Sequence, residues 1–192
     1  MMRWLLSALV FLVLGMSLHA NEFSKVAMHE PELIQKGDGK NYCPICGMNL
    51  THNYKTSHGV ILSDGTAKQY CSIRCLASDW GVIESRVEKV VVIDAKSEKL
   101  IDAKKAFYVV GSKVPGTMSM VSKLAFEHEA DAKAFVKEEG GEITTFDKAF
   151  EKAKASLKED VDEFIKKKQR KLQQRMGLNI LELKERQQLP RH

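Results

Sequence analysis

In a chain of 192 residues, 44% hydrophobic and 29% charged side chains have the balance of a folded protein, which excludes a disordered or fibrous polypeptide. The net charge of +5 is not evenly spread: residues 1–146 carry 17 basic and 17 acidic side chains, residues 147–192 carry 13 and 8. The body is therefore neutral, which argues against nucleic acid as a partner, and the excess belongs to the tail.

The chain begins "MMRWLLSALVFLVLGMSLHA". One arginine, an apolar run from Trp4 to Leu18 and the small residue Ala20 make residues 1–20 a secretory signal peptide cleaved after Ala20. The run is shorter than the roughly 20 residues of a membrane-spanning helix, so an uncleaved anchor is the lesser alternative. Residues 21–40 contain a proline and two glycines with no periodicity, and read as a linker.

A domain is expected over 41–146, its elements falling in a repeated order. "GVILSDGTAKQY" reads as a hairpin turning at Asp64-Gly65, and "SIRCLASDW" as a helix capped by Ser72 and ended by Gly81. "KVVVID" is a buried strand. In the second half, "AFYVV" and "KLAF" are strands separated by the loop "GSKVPGTMSMV". The helix "EHEADAKAFVKEE" follows, with Ala130, Ala134 and Phe135 on one face, then the strand "EITTF". Strand, strand, helix, strand thus occurs over 60–94 and again over 106–146. Each unit is too small to bury its own core, so the fold class is α+β, two pseudo-repeated ββαβ units packed as one domain. Residues 147–192 form a long charged helix, in which Phe150, Ala153, Leu157, Val161 and Phe164 recur at helical spacing. "KKKQRKLQQR" over 166–175 is a solvated face or a surface for an anionic membrane leaflet or an acidic partner.

All four cysteines fall within 33 residues, as Cys43-x2-Cys46 and Cys71-x3-Cys75. Two such pairs fit a tetrahedral thiolate site, with Cys75 in the first helical turn, where the helix dipole favours a thiolate. The spacing names no metal. Two disulfides, a structural Zn2+ knuckle and a thiol oxidoreductase pair remain open alternatives. Met48, two residues after Cys46, favours Cu(I), a soft ion that accepts thioether as well as thiolate. Met118, in the second-unit loop, is a further candidate ligand, whereas Met120 is expected in the core and His52 and His58 are expected as ordinary exposed histidines. No positioned base and nucleophile and no phosphate loop is present, so no enzymatic activity is expected.

With those residues in view, the chain resembles the NosL family of nitrous oxide reductase accessory proteins over about residues 42–147. "CGMNL" at 46–50 is similar to the family's Cys-Gly-Met-Asn motif, and "QYCSIRCL", "FYVVGS", "GTMS" and "GGEITTFD" match later blocks in order. The Cys-Gly-Met and Cys-x3-Cys pattern is also similar to small heavy-metal-trafficking modules. The resemblance implies a fold of two ββαβ-like units related to an organomercurial lyase domain. It also implies a periplasmic Cu(I) chaperone for nitrous oxide reductase or its maturation transporter. Carried over, Cys46 and Met48 would bind copper, with Met118 as candidate. The chain departs from the family by lacking a lipid-anchoring cysteine after the leader, by having Cys43, Cys71 and Cys75, and by its C-terminal extension. Those three cysteines are expected as additional thiolates or as a Zn2+-binding set.

Overall fold

The computed structural model describes residues 23–188, with side chains to residue 177, so the expected signal peptide lies outside the described residues. Two small antiparallel sheets carry the repeat. β1 (His58–Leu62), β2 (Ala67–Tyr70), β3 (Val87–Ile93) and β4 (Leu100–Asp102) form the first, in the order β2-β1-β3-β4. β5 (Phe107–Val110), β6 (Lys123–Phe126) and β7 (Glu142–Thr144) form the second, in the order β6-β5-β7. Helix α1 (Ile73–Ile83) joins β2 to β3, and α2 (Glu129–Glu139) joins β6 to β7. In both units the first strand therefore lies at the centre, between its hairpin partner and the strand that returns after the helix.

Local chemistry accounts for these elements. The β1–β2 turn closes where the Asp64 carboxylate accepts from Thr66 N–H and hydroxyl at 2.9 and 2.6 Å, and Gly65 takes φ +76°. Ser72 has the extended backbone of an N-cap, and its carbonyl accepts from Cys75 N–H and Leu76 N–H. Contrary to the expectation from Gly81, α1 continues through that residue to Ile83. Ile83 is fully buried, and burying it gains about 1.5–3 kcal/mol against about 1 kcal/mol for a helical glycine. In α2 the inward residues are Ala132 and Phe135, while Ala130 and Ala134 face solvent, a one-step rotation of the expected face. Phe135 fixes it by packing on Phe126 at 5.1 Å and edge-on to Phe23 at 5.2 Å.

The two units pack together through a core to which both contribute, Val60 and Val92 from the first with Tyr108 and Ala125 from the second. Buried His58 on β1 is 3.0 Å from the Tyr108 hydroxyl on β5, and Ala95 N–H donates to Ala125 O at 2.8 Å. Residues 23–40 contain no helix or strand, but they are fixed to the domain. Ala27 N–H donates to Thr51 O, and Met28 N–H and His29 N–H donate to the buried Glu98 carboxylate. Ile34 N–H donates to Gln69 Oε1, and Leu33 packs on the core.

The charged C-terminal region is two helices. α3 (Phe146–Ala155) is part of the body, burying Phe146, Ala149, Phe150 and Ala153, with Trp80 edge-on to Phe150 at 4.8 Å. Its N-cap Thr145 accepts from Lys148 N–H. After a break at Ser156, α4 (Leu157–Gln188) runs on for 32 residues. Among the described residues, no helix is long and apolar enough to cross a membrane.

Candidate metal centre

A narrow loop presents the first cysteine pair. Tyr42 and Asn49 form an isolated antiparallel bridge, Cys43 N–H donates to Met48 O at 2.9 Å, and Gly47 N–H donates to Cys43 O at 2.9 Å. Gly47 sits at φ +71°, where an L side chain is strained, so the residue after Cys46 has a conformational reason to be glycine. The second pair comes from the end of the β1–β2 hairpin. β2 ends at Tyr70, Cys71 follows at once, and Cys75 lies in the first turn of α1.

The four sulfurs converge. All lie within 4.8 Å of one another, with Cys46 Sγ 3.5 Å and Cys75 Sγ 3.7 Å from Cys71 Sγ. A tetrahedral ion bonded at ~2.3 Å to four thiolates needs sulfur–sulfur edges of about 3.8 Å, which this set nearly meets. All four cysteines are free thiols. Cys43, Cys71 and Cys75 are 2%, 0% and 0% exposed, whereas Cys46 is partly open to solvent.

The thiols polarise one another. Hydrogen bonds from Cys46, Cys71 and Cys75 hold Cys43 far below the usual thiol range despite its burial. Cys46 comes down to about 7: its bond with Cys43 opposes the shift, and bonds from Cys71 and Cys75, with Met48 N–H, bring it about. Cys71 and Cys75 are pushed up, each first by its bond to Cys43. The arrangement favours a first thiolate at Cys43, with the remaining protons displaced when a metal ion binds.

Both candidate methionines pack against the hydrophobic core that includes Cys43, Cys71 and Cys75. Met48 is half-buried against the core that contains Cys43, Cys71 and Cys75, and its carbonyl closes the cysteine loop. Met118 is half-buried against the same core, in the left-handed region at φ +53°. Its loop is tied to the cluster by a link that the sequence did not advertise. Thr56 Oγ1 donates to Cys71 O at 2.8 Å and shares a hydrogen bond with Thr117 Oγ1 at 3.0 Å. Two threonines 61 residues apart leave no periodic signal, so only the fold reveals this link. Arg74, between Cys71 and Cys75, was also missed: it is buried, and its Nε has no hydrogen-bond partner among the described residues.

Three expectations need correction. Met120 is 59% exposed, not core; its backbone N–H is held by Asp160 Oδ1 at 2.9 Å, which turns the side chain outward. His58 is not an exposed histidine. It is fully enclosed, bonded to Thr56 O and the Tyr108 hydroxyl, and burial lowers its pKa to about 4. The helical stripe expected from Phe150 onward is also divided: Phe150 and Ala153 are core, and Val161 is exposed. His52 is exposed, as expected.

Fold and site together define an α+β protein of two ββαβ units with a four-sulfur cluster that could hold a metal ion. The family model described as NosL matches residues 35–153, and the chain belongs to the NosL family. It is 33% identical over 115 residues to the copper-binding lipoprotein NosL of Stutzerimonas stutzeri, covering 55% of this chain and 60% of that protein. It is also similar to the crystal structure of the copper chaperone NosL from Shewanella denitrificans, with 28% identity and a TM-score of 0.50. That match covers 62% of this chain and 96% of the other. Neither relative is named for an enzymatic activity, in keeping with the absence of catalytic motifs.

Proposed function

We propose that this chain is a periplasmic Cu(I) carrier that delivers copper for assembly of the copper centre of nitrous oxide reductase, directly or through a maturation transporter. The observation that supports it most is the convergence of four thiols with one of them, Cys46, partly exposed, beside a core on which the half-buried Met48 and Met118 also pack. Cu(I) prefers such soft donors and tolerates low coordination numbers. Copper is the cargo here. Cys46 and Met48 would accept it at the surface, Met118 would close over it from the second unit, and Cys43, Cys71 and Cys75 would supply thiolates behind. A recipient's sulfur could then add to the ion at Cys46 before an older ligand leaves. The names of the two relatives support copper as the ion; the recipient and the cellular location are inferred from the motif resemblance and the leader.

The test is anaerobic. Copper-loaded protein is mixed with metal-free nitrous oxide reductase, the two are separated, and copper is measured in each. Transfer faster than from a small-molecule Cu(I) complex supports the reading, and retention of copper refutes delivery. A second reading draws on the burial of three of the four thiols: a closed four-cysteine site holding structural Zn2+. It predicts that Met48→Leu and Met118→Leu leave metal affinity unchanged and that Zn2+ is not displaced by Cu(I).

A further inference from the structure

Helix α4 presents an amphipathic surface that nothing else in the described structure covers. Val161, Ile165, Leu172 and Met176 are all exposed large apolar side chains. At 100° per residue they fall within about 60° of one another around the helix, a stripe about 22 Å long from first to last. Lys168 borders the stripe, Lys166, Lys167, Arg170, Lys171 and Arg175 occupy the flanks and the opposite side, and no acidic residue occurs from Phe164 to Leu181. The positive charge is thus concentrated beside the stripe, beyond the acidic Asp162 and Glu163.

We propose that α4 lies in the plane of an anionic lipid surface, its stripe among the acyl chains and its cations on the headgroup phosphates. Basic residues beside an apolar stripe are the composition of an interfacial helix. Charge argues for lipid over a second copy of the chain. A helix–helix seam would repeat every three to four residues through Val161, Ile165, Lys168, Leu172 and Arg175, so two of five inward positions would be cations. At a bilayer the same two side chains extend along the surface and place their charges among the headgroups.

The base of α4 gives this contact a consequence for the metal centre. Asp160 is buried, its Oδ2 accepts from the Ser156 hydroxyl at 2.8 Å, and its Oδ1 accepts from Met120 N–H. A helix lying on lipid therefore holds the Met118 loop at a fixed orientation to that surface. The proposal goes beyond the copper reading and does not depend on it.

Hydrogen exchange of the full chain, read by mass spectrometry with and without vesicles, tests it and localises the contact even if residues 1–20 also bind lipid. Amides of 161–177 should exchange at least about tenfold more slowly with vesicles containing phosphatidylglycerol, but not with phosphatidylcholine alone. Joint Lys166→Glu, Lys167→Glu and Lys168→Glu should abolish the protection, as should Leu172→Asp, at exposed positions outside the core. Equal protection on neutral vesicles, no protection on either kind, or persistence in the variants overturns the proposal. Protection without lipid that rises with protein concentration overturns it in favour of a second copy. Cu(I) affinity of the same variants should be unchanged, which separates this result from any failure of the copper reading.

Discussion

Cys71→Ser should weaken metal binding by two to three orders of magnitude, because Cys71 is the hub of the sulfur cluster. Its Sγ is 3.5 Å from Cys46 Sγ and 3.7 Å from Cys75 Sγ, and the residue is fully buried. Structural Zn2+ binding in zinc-finger peptides is worth about 10–16 kcal/mol; taking that as the scale for a thiophilic ion here, one ligand in four accounts for about 2.5–4 kcal/mol. At about 1.4 kcal/mol per decade, that is a loss of about two to three decades. A serine oxygen is a poor ligand for a soft ion, so the substitution recovers little of the loss. The assay is an anaerobic titration of reduced protein against a chromogenic Cu(I) chelator, with thermal unfolding of the metal-free variant as a folding control. A Cys71→Ser protein that folds and competes for copper as well as wild type would refute the single four-sulfur centre. The copper site would then reduce to Cys46 and the methionines.

Other consequences follow from single residues. Burial depresses the pKa of His58 to about 4, so the folded state refuses a proton that the unfolded chain accepts below ~6.5. Stability should fall by about 2–3 kcal/mol between pH 7 and pH 4.5 from this residue; urea unfolding of His58→Gln should show a correspondingly shallower pH profile. A Cβ at Gly47 would meet nothing within 4 Å, so Gly47→Ala should cost about 1 kcal/mol in urea unfolding, from the φ of +71° alone. Gly47→Asn, which tolerates that region, should cost less. Iodoacetamide should label Cys46 ahead of the three buried thiols in metal-free protein, and Cu(I) should block the labelling, as peptide mapping would show.

Much of the fold was legible because hydrophobic periodicity and turn chemistry are local. Asp64-Gly65, Ser72 and Gly140-Gly141 mark their turns and caps through backbone preferences that need no tertiary information. The cysteine pairs were legible because ligand spacing reflects the geometry of a loop and of one helical turn. What escaped depends on contacts distant in sequence. Gly81 reads as a stop until Ile83 is seen to be buried, and the face of α2 is chosen by Phe23 and Phe126. Met120 looks apolar enough for a core until Asp160, forty residues later, fixes its backbone. His58 has no sequence sign of its bond to Tyr108, fifty residues away.

The twin units trace the same path but are not equipped alike. Tyr70 at the end of β2 runs into Cys71, whereas its counterpart, Phe126 at the end of β6, runs into solvent-exposed Glu127. One half has all four cysteines; the other reaches them through a single loop, tied to Cys71 by Thr56 and Thr117. A change at the sulfurs thus bears on one corner of the molecule, while the opposite half keeps a second apolar cluster, around Leu124 and Phe135, that includes none of the cysteines.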